Sequence, residues 1–232
     1  MEPSRHKIIA KLISEKVNID ESFEQKHLTH LERQCVPADY NFNGLKIHCP
    51  SEVYHPDLGS SSLFFISQVF RLGIPEGSSV LEIGTGCGIV ILALAQRLRH
   101  GVFHASDCST AAVRSARQNA ELNALNVTVF QSNLFDNIPG RKYDYILFNP
   151  PLLDRPTEDK VDLEMMSDPG GRTVEKFIAD SSTYLSKNGR IYIIQSNYGD
   201  TSCIAQHAGK YRWRGCEMSP SGTTRAVLEI IV

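Results

Sequence analysis

The chain has 232 residues, a formal charge of −2, 41% hydrophobic and 22% charged residues, the composition of an ordinary globular protein. That length accommodates one full α/β domain with a modest extension and excludes two large domains. The near-neutral charge supplies no overall pull toward polyanions, so a nucleic-acid partner needs a local basic patch. Six cysteines (Cys35, Cys49, Cys87, Cys108, Cys203 and Cys216) show no C-x-x-C spacing, which argues against a zinc site or a disulfide framework and suits a reducing compartment. The first residues lack the apolar core of a signal peptide, and no run approaches about 18 apolar residues. A cytoplasmic protein without a membrane segment and without a metal is expected.

In chain order, Ile8, Ile9, Leu12 and Ile13, then Phe23, Leu28 and Leu31, fall at helical spacing and predict two short helices with a break near Asn18-Ile19-Asp20. Residues 40–53 alternate around Asn43-Gly44, a hairpin-turn pair. After Pro56-Asp57-Leu58-Gly59 a serine cluster caps a helix that buries Leu63, Phe64, Ile66, Val69 and Phe70. From residue 79 the pattern becomes strand and helix in alternation: strand 79–83, helix 88–98, strand 102–106, helix 109–122, strands 127–131 and 143–148, helix 173–185 and strand 190–196. A short helix near 203–208, a strand near Trp213 and a strand over 226–231 complete the chain. Repeated βαβ units with near-continuous apolar strands predict a Rossmann-like, doubly wound, mostly parallel sheet. The last two strands form an antiparallel edge hairpin, and residues 1–52 make a helical and hairpin extension to a domain spanning 53–232.

Ligands of open α/β sheets sit beyond the carboxyl ends of the strands. There the chain reads Leu81-Glu82-Ile83-Gly84-Thr85-Gly86-Cys87-Gly88, a strand entering a glycine turn and then a helix. The spacing is G-x-G-x-G, with Ile89 where the third glycine of a dinucleotide fingerprint falls. A charged Glu82 before the turn repels a phosphate, so a nucleoside ligand without one fits better. Asp107 ends the next strand about 20 residues on, the place of an acid that accepts from ribose hydroxyls. Asn133 ends the third, where it can bond an adenine edge, with Cys108 and Leu134 bracketing the ring. Glycine, Asp and Asn also favour strand-end turns on backbone grounds alone; their occurrence in register favours a ligand. The reading is an S-adenosylmethionine site lined by Glu82, Gly84, Thr85, Gly86, Gly88, Asp107, Cys108, Asn133, Leu134 and Asn149.

The apolar strand 143–148 closes on Asn149-Pro150-Pro151-Leu152. Methyl transfer from a sulfonium mainly requires the nucleophile to be placed. The lone pair of an amide or exocyclic amino nitrogen is delocalised, and accepting its N–H hydrogens at Asn149 Oδ1 and the Pro150 carbonyl directs that lone pair. Pro150 and Pro151 fix φ and remove backbone donors. A plain proline-terminated strand explains the tetrapeptide alone, but not beside the glycine turn. The catalytic candidates are Asn149, Pro150, Pro151 and Leu152.

These segments, with Val53-Tyr54-His55-Pro56, Asn133-Leu134-Phe135, Pro169-Gly170-Gly171 and Gly189-Arg190-Ile191-Tyr192, make the chain resemble the protein-glutamine N5-methyltransferases of translation release factors. These form part of the Asn-Pro-Pro branch of class I S-adenosylmethionine-dependent methyltransferases. The resemblance runs from about residue 37 to the end. It implies cofactor contacts at Gly84, Gly86, Asp107 and Asn133, and glutamine-type recognition by Asn149 and Pro150. Leu152 stands where that family has an aromatic residue, and Gly59 where it has an acid. The acceptor therefore stays open between a release-factor-like protein glutamine and a small molecule. A nucleic-acid base methyltransferase and a non-catalytic partner subunit are the alternatives. Lys210-Tyr211-Arg212-Trp213-Arg214 reads as a nucleic-acid patch or an edge strand with Trp213 inward. His55 reads as structural or as a substrate contact, residues 154–160 as a polar flap, and Met165-Met166 as pocket lining or gap filler.

Overall fold

Near-continuous apolar runs need cover on both faces, and a parallel sheet with helices on each side supplies it. The computed structural model describes residues 5–17, 36–57, 59–154, 166–202, 204, 210–218 and 223–231. Its elements run α1 (Arg5–Ser14), β1 (Ala38–Phe42), β2 (Leu45–Cys49), α2 (Ser61–Arg71), β3 (Ser79–Ile83), α3 (Ile89–Arg97), β4 (Val102–Asp107), α4 (Thr110–Leu122), β5 (Val127–Gln131), β6 (Tyr143–Phe148), α5 (Arg172–Ser181), β7 (Leu185–Ser196), β8 (Lys210–Met218) and β9 (Thr224–Ile231). Strands β3 to β9 form one seven-stranded sheet in the order β5-β4-β3-β6-β7-β9-β8. β3 pairs parallel with β4 and β6, and β4 with β5, whereas β9 pairs antiparallel with β7 and β8. The mostly parallel sheet and its antiparallel C-terminal strands are those read from the sequence. The second N-terminal helix, the helix near 203–208, residues 155–160 of the flap and Met165 lie outside the described residues.

The chain falls into two compact units. One comprises residues 34–149 and 183–189. Its β3 is buried at every residue, and Ile89 to Ala95 of α3 are all buried, the pattern of a helix covered on every side. The hairpin turn forms at Asn43-Gly44 with φ of 51° and 86°, the pair of positive values a type I′ turn demands. The hairpin then docks on α4 through carboxamides one helical turn apart. Asn119 accepts from the His48 amide (2.8 Å) and donates to the His48 carbonyl (2.9 Å); Asn123 does the same for Lys46 (2.9 and 2.6 Å). Two side chains on a helix thus imitate the ladder of a missing strand. The hairpin, read from the sequence into an extension ending at residue 52, packs into the unit that carries the glycine turn.

The other unit comprises residues 1–33, 150–182 and 190–232. Here α1 packs on β8 and β9 with Ile9 and Ile13 buried. α5 starts where the Asp168 carboxylate accepts from the amides of Thr173 (2.8 Å) and Val174 (3.2 Å), matching an acid to the positive helix end. The helix ends at Ser181, short of the predicted Leu185, and β7 begins at Leu185, not Arg190. Within the first unit, Ser186 donates to the Asp144 carboxylate at 3.0 Å, a long-range bond that extends the strand through a stretch of turn-forming residues. In β8, Trp213 is buried and the Arg214 guanidinium pairs with the buried Glu229, which also holds Arg190. Trp213 therefore serves the core and offers no ring for base stacking. Trp213→Ala is expected to lower unfolding free energy by about 3–5 kcal/mol in a urea titration; a loss under about 1 kcal/mol contradicts this packing.

Candidate active site

The parallel registers set the ends of β3, β4 and β6 level, since Ile83 lies opposite both Ser106 and Phe148. The loops leaving these three strands therefore emerge at one edge of the sheet. After β3 the chain turns at Gly84, Thr85, Gly86, Cys87 and Gly88, and the three glycines hold φ of 65°, 56° and 86°. A Cβ on Gly84 would lie 3.1 Å from the Phe148 ring, and one on Gly88 3.3 Å from the Ala116 backbone. A side chain at either position is thus excluded by fit as well as by conformation.

Glu82 lies beneath the turn and is 1% exposed. Its Oε2 accepts from Thr85 Oγ1 (2.7 Å) and from the Ile91 amide (3.0 Å), joining the turn to the first turn of α3. Burial pushes its carboxyl up to about 8, so near neutrality it holds its proton. The charge-repulsion argument drawn from the sequence loses its basis; Glu82 acts by bracing the turn. The Asn119 amide nitrogen adds a second brace, donating to the Cys87 carbonyl at 2.9 Å.

Asp107 closes β4 and links the turn to the next loop. Its Oδ2 accepts from the Gly86 amide and its Oδ1 from the Ser109 amide, both at 2.9 Å. The amide and the thiol of Cys108 also donate to this carboxylate. Burial raises this carboxyl, while the backbone donors work the other way. Cys108 and Asn133 are exposed, and Leu134 is buried with φ of 50°. The Ser132 hydroxyl fixes this loop, donating to the Leu134 carbonyl and accepting from the Asn137 amide, each at 2.9 Å.

Asn149 comes directly after β6. Its Nδ2 donates to Ser61 Oγ (3.0 Å) and Ser62 Oγ (3.3 Å), while its Oδ1 is buried without a hydrogen-bond partner. Ser60 alone caps α2, accepting from the Leu63 amide at 3.3 Å. The two serines after it are thus surplus to capping, and they aim the Asn149 carboxamide. Their role escaped the sequence reading, although three serines where one suffices was the available signal. Ser132 and Asn119 also escaped it, with no sequence signal pointing to them.

Pro150 and Pro151 continue the chain, and the Leu152 carbonyl accepts from Ser196 Oγ at 3.3 Å. His55 is buried: its Nε2 donates to the Pro50 carbonyl (3.1 Å), leaving Nδ1 to accept from the Tyr40 hydroxyl (2.9 Å). Both ring nitrogens serve the fold, and burial lowers the tendency of the ring to protonate. Among the described residues no group of acidic, His and Cys side chains is arranged to hold a metal ion, and Cys49, Cys87 and Cys108 are in no disulfide.

A profile of methyltransferase small domains matches residues 54–213. The chain belongs to that family. A Methanocaldococcus jannaschii protein assigned as an N5-glutamine methyltransferase is 35% identical over 159 residues, covering 66% of this chain and 77% of its own. The release factor glutamine methyltransferase of Streptococcus pneumoniae is 29% identical over 196 residues, 80% of this chain and 69% of its own. Among solved structures, the Thermus thermophilus 16S rRNA N2 G1207 methyltransferase with AdoMet and guanosine superposes with a TM-score of 0.62. At 18% identity, over 84% of this chain and 49% of that one, the likeness is one of fold, and the chain spans about half the length of that enzyme.

The protein is thus an S-adenosylmethionine-dependent methyltransferase. The site fits that cofactor: glycines leave the turn bare, a carboxylate that can accept from a diol closes β4 beside it, and no basic side chain for a phosphate is among the residues assigned to the site. No described helix is long and apolar enough to cross a membrane. Because the Glu82 value is raised above its ordinary 4.5 to about 8, the unfolded chain is ionised across that window while the folded chain keeps its proton. Stability therefore falls as pH rises between those values. Glu82→Gln is expected to flatten that slope of Tm against pH; an unaltered slope contradicts the assignment.

Proposed function

We propose that this methyltransferase modifies the side-chain amide nitrogen of a protein glutamine, with a translation release factor as acceptor. The observation that carries the reading is the buried, unmatched Oδ1 of Asn149. An acceptor left without a donor costs about 1–3 kcal/mol, and a primary amide brings the N–H that relieves it. The two relatives named for glutamine methylation of proteins support the same acceptor class.

When bound, S-adenosylmethionine supplies an electrophilic methyl carbon on a sulfonium leaving group. Gly84, Gly86 and Asp107 would hold it, the turn through bare backbone and the acid through its carboxylate oxygens, with Cys108, Asn133 and Leu134 on the adenine side. Asn149 Oδ1 and the Pro150 carbonyl accept the two N–H hydrogens of the glutamine amide. That fixes the amide plane and turns the nitrogen lone pair toward the methyl carbon. Ser61 and Ser62 hold the Asn149 carboxamide in the orientation this needs. Pro150 and Pro151 contribute no N–H that would compete for those carbonyls. Leu152 supplies an apolar boundary where the resembling family has a ring. As the nitrogen–carbon bond forms, one amide proton leaves to solvent, and no ionisable side chain of the tetrapeptide is needed to take it. A release-factor acceptor places the reaction in the cytoplasm.

The test is transfer of labelled methyl to a purified release factor, with the methylated residue located by mass spectrometry. Asn149→Ala is expected to lower kcat by roughly tenfold or more while cofactor affinity stays within about twofold. Equal losses of both contradict the separation of roles. Ser61→Ala with Ser62→Ala is expected to lower kcat by a smaller factor, since Asn149 remains but is no longer oriented; full wild-type turnover contradicts this.

A further inference from the structure

Cys49 ends β2 and Cys87 sits in the glycine turn, both within the unit of residues 34–149, and both are buried. The proposed reaction uses neither sulfur. Several contacts nevertheless bring them together. One Asn119 amide nitrogen donates to the His48 carbonyl and to the Cys87 carbonyl, each at 2.9 Å, so these two oxygens lie within twice that distance of each other. The Cys49 sulfur lies 3.7 Å from the Val53 carbonyl oxygen and 3.5 Å from that of Tyr54. Val53 reaches back to the turn, where a Cβ on Gly86 would meet its methyl at 3.8 Å. The two thiols close this ring as hydrogen-bond partners of each other.

A single buried cysteine serves as a small apolar filler, but two in contact have a chemistry of their own. The turn that carries Cys87 meets solvent at Gly84, which is exposed, and at Gly86, which is half-buried, so the route to the sulfur is short. Hydrogen bonding with Cys49 holds the Cys87 thiol below its ordinary range; the Ile89 amide at the start of α3 adds to this, against burial and the Asp107 charge. The same hydrogen bond, with burial, pushes Cys49 up. Cys87 is thus the nucleophile of the pair and Cys49 keeps its proton.

We propose that Cys49 and Cys87 are an oxidative modification site, forming a reversible disulfide with a hydroperoxide as oxidant and thereby displacing the glycine turn from the methyl donor. The inference rests on the turn as the cofactor seat and is independent of the acceptor. The Cys87 thiolate attacks one peroxide oxygen, the O–O bond breaks, and the sulfur becomes a sulfenic acid. The Cys49 sulfur then attacks that sulfur, the S–O bond breaks, and the departing hydroxide takes the Cys49 proton as water. With hydrogen peroxide, two thiols give one disulfide and two waters, and the sulfurs lose the two electrons that the peroxide oxygens gain. The new bond draws the sulfurs to about 2 Å, closer than hydrogen-bonded thiols stand, so one partner has to move. The hairpin is pinned to α4 by the carboxamides of Asn119 and Asn123, whereas glycines give the turn its conformational freedom. The turn therefore yields, and the bond from the Gly86 amide to Asp107 is the contact it strains. A transient disulfide of this kind suits a reducing compartment.

The experiment treats the protein with hydrogen peroxide, maps disulfides by mass spectrometry of unreduced digests, and measures S-adenosylmethionine affinity before and after dithiothreitol. A peptide pair linked through Cys49 and Cys87 is expected. Affinity is expected to fall about tenfold or more, the equivalent of at least one lost hydrogen bond in the turn, and to return with the reductant. In Cys49→Ala the resolving thiol is gone, and Cys87 is expected to remain a sulfenic acid that dimedone labels. Mapping of the wild type stands whether or not that variant folds. Absence of the Cys49–Cys87 link in the wild type overturns the inference. The same reversible loss in Cys49→Ala without label on Cys87 places the sensitive thiol elsewhere and also overturns it. Asp107→Ala, measured without peroxide, tests the cofactor seat by itself. A lowered affinity there keeps the seat, so that a link formed without effect on affinity overturns the inference alone. An unchanged affinity in Asp107→Ala overturns both.

Discussion

The carboxamide of Asn149 is held at one end and unmet at the other. Ser61 and Ser62 take its nitrogen, and its oxygen stays buried without a donor. Folding alone does not favour this arrangement, since hydrogen bonding a buried polar atom is worth more than leaving it bare. Preorganised binding sites do favour it, because groups already desolvated and fixed lose little further freedom when the ligand arrives. The proposed function stems from that constraint: in it a lone pair is directed by carbonyl oxygens, and no side chain has to titrate.

The glycine turn is fixed by a comparable economy of groups. Three side chains from different elements hold Gly84 to Gly88: Glu82 from β3, Asp107 from β4 and Asn119 from α4. Asn119 also carries the β1–β2 hairpin, so one buried amide couples a hairpin outside the main sheet to the glycine turn. Within this unit the turn is thus positioned from below, from the side and from the hairpin. Its glycines can then stay bare toward the ligand without leaving the loop slack.

Much of this was legible in the sequence, and the reasons are local. The alternation of apolar strands and amphipathic helices, the Asn43-Gly44 turn, the G-x-G-x-G spacing and Asp107 all depend on backbone preferences or periodicity that nearby residues determine. What escaped depends on partners far apart in the chain. β7 begins at Leu185 because Ser186 meets Asp144 across 42 positions, whereas Ser186-Lys187-Asn188-Gly189 by itself reads as a turn. Ser61 and Ser62 looked like capping residues until Asn149 appeared opposite them, 88 and 87 positions on. Glu82 was read as a charge because sequence shows a carboxyl and hides its burial; enclosed, it becomes a neutral brace. The Asn-Pro-Pro signal announced a clamp but not how its first residue is aimed.

The most direct test of the account is a crystal structure of the protein with S-adenosylhomocysteine and a glutamine-bearing acceptor peptide. The account requires the glutamine side-chain nitrogen within about 3 Å of Asn149 Oδ1, with the ribose hydroxyls on Asp107. An acceptor nitrogen seated elsewhere, or an Asn149 oxygen filled by a protein donor in that complex, contradicts it.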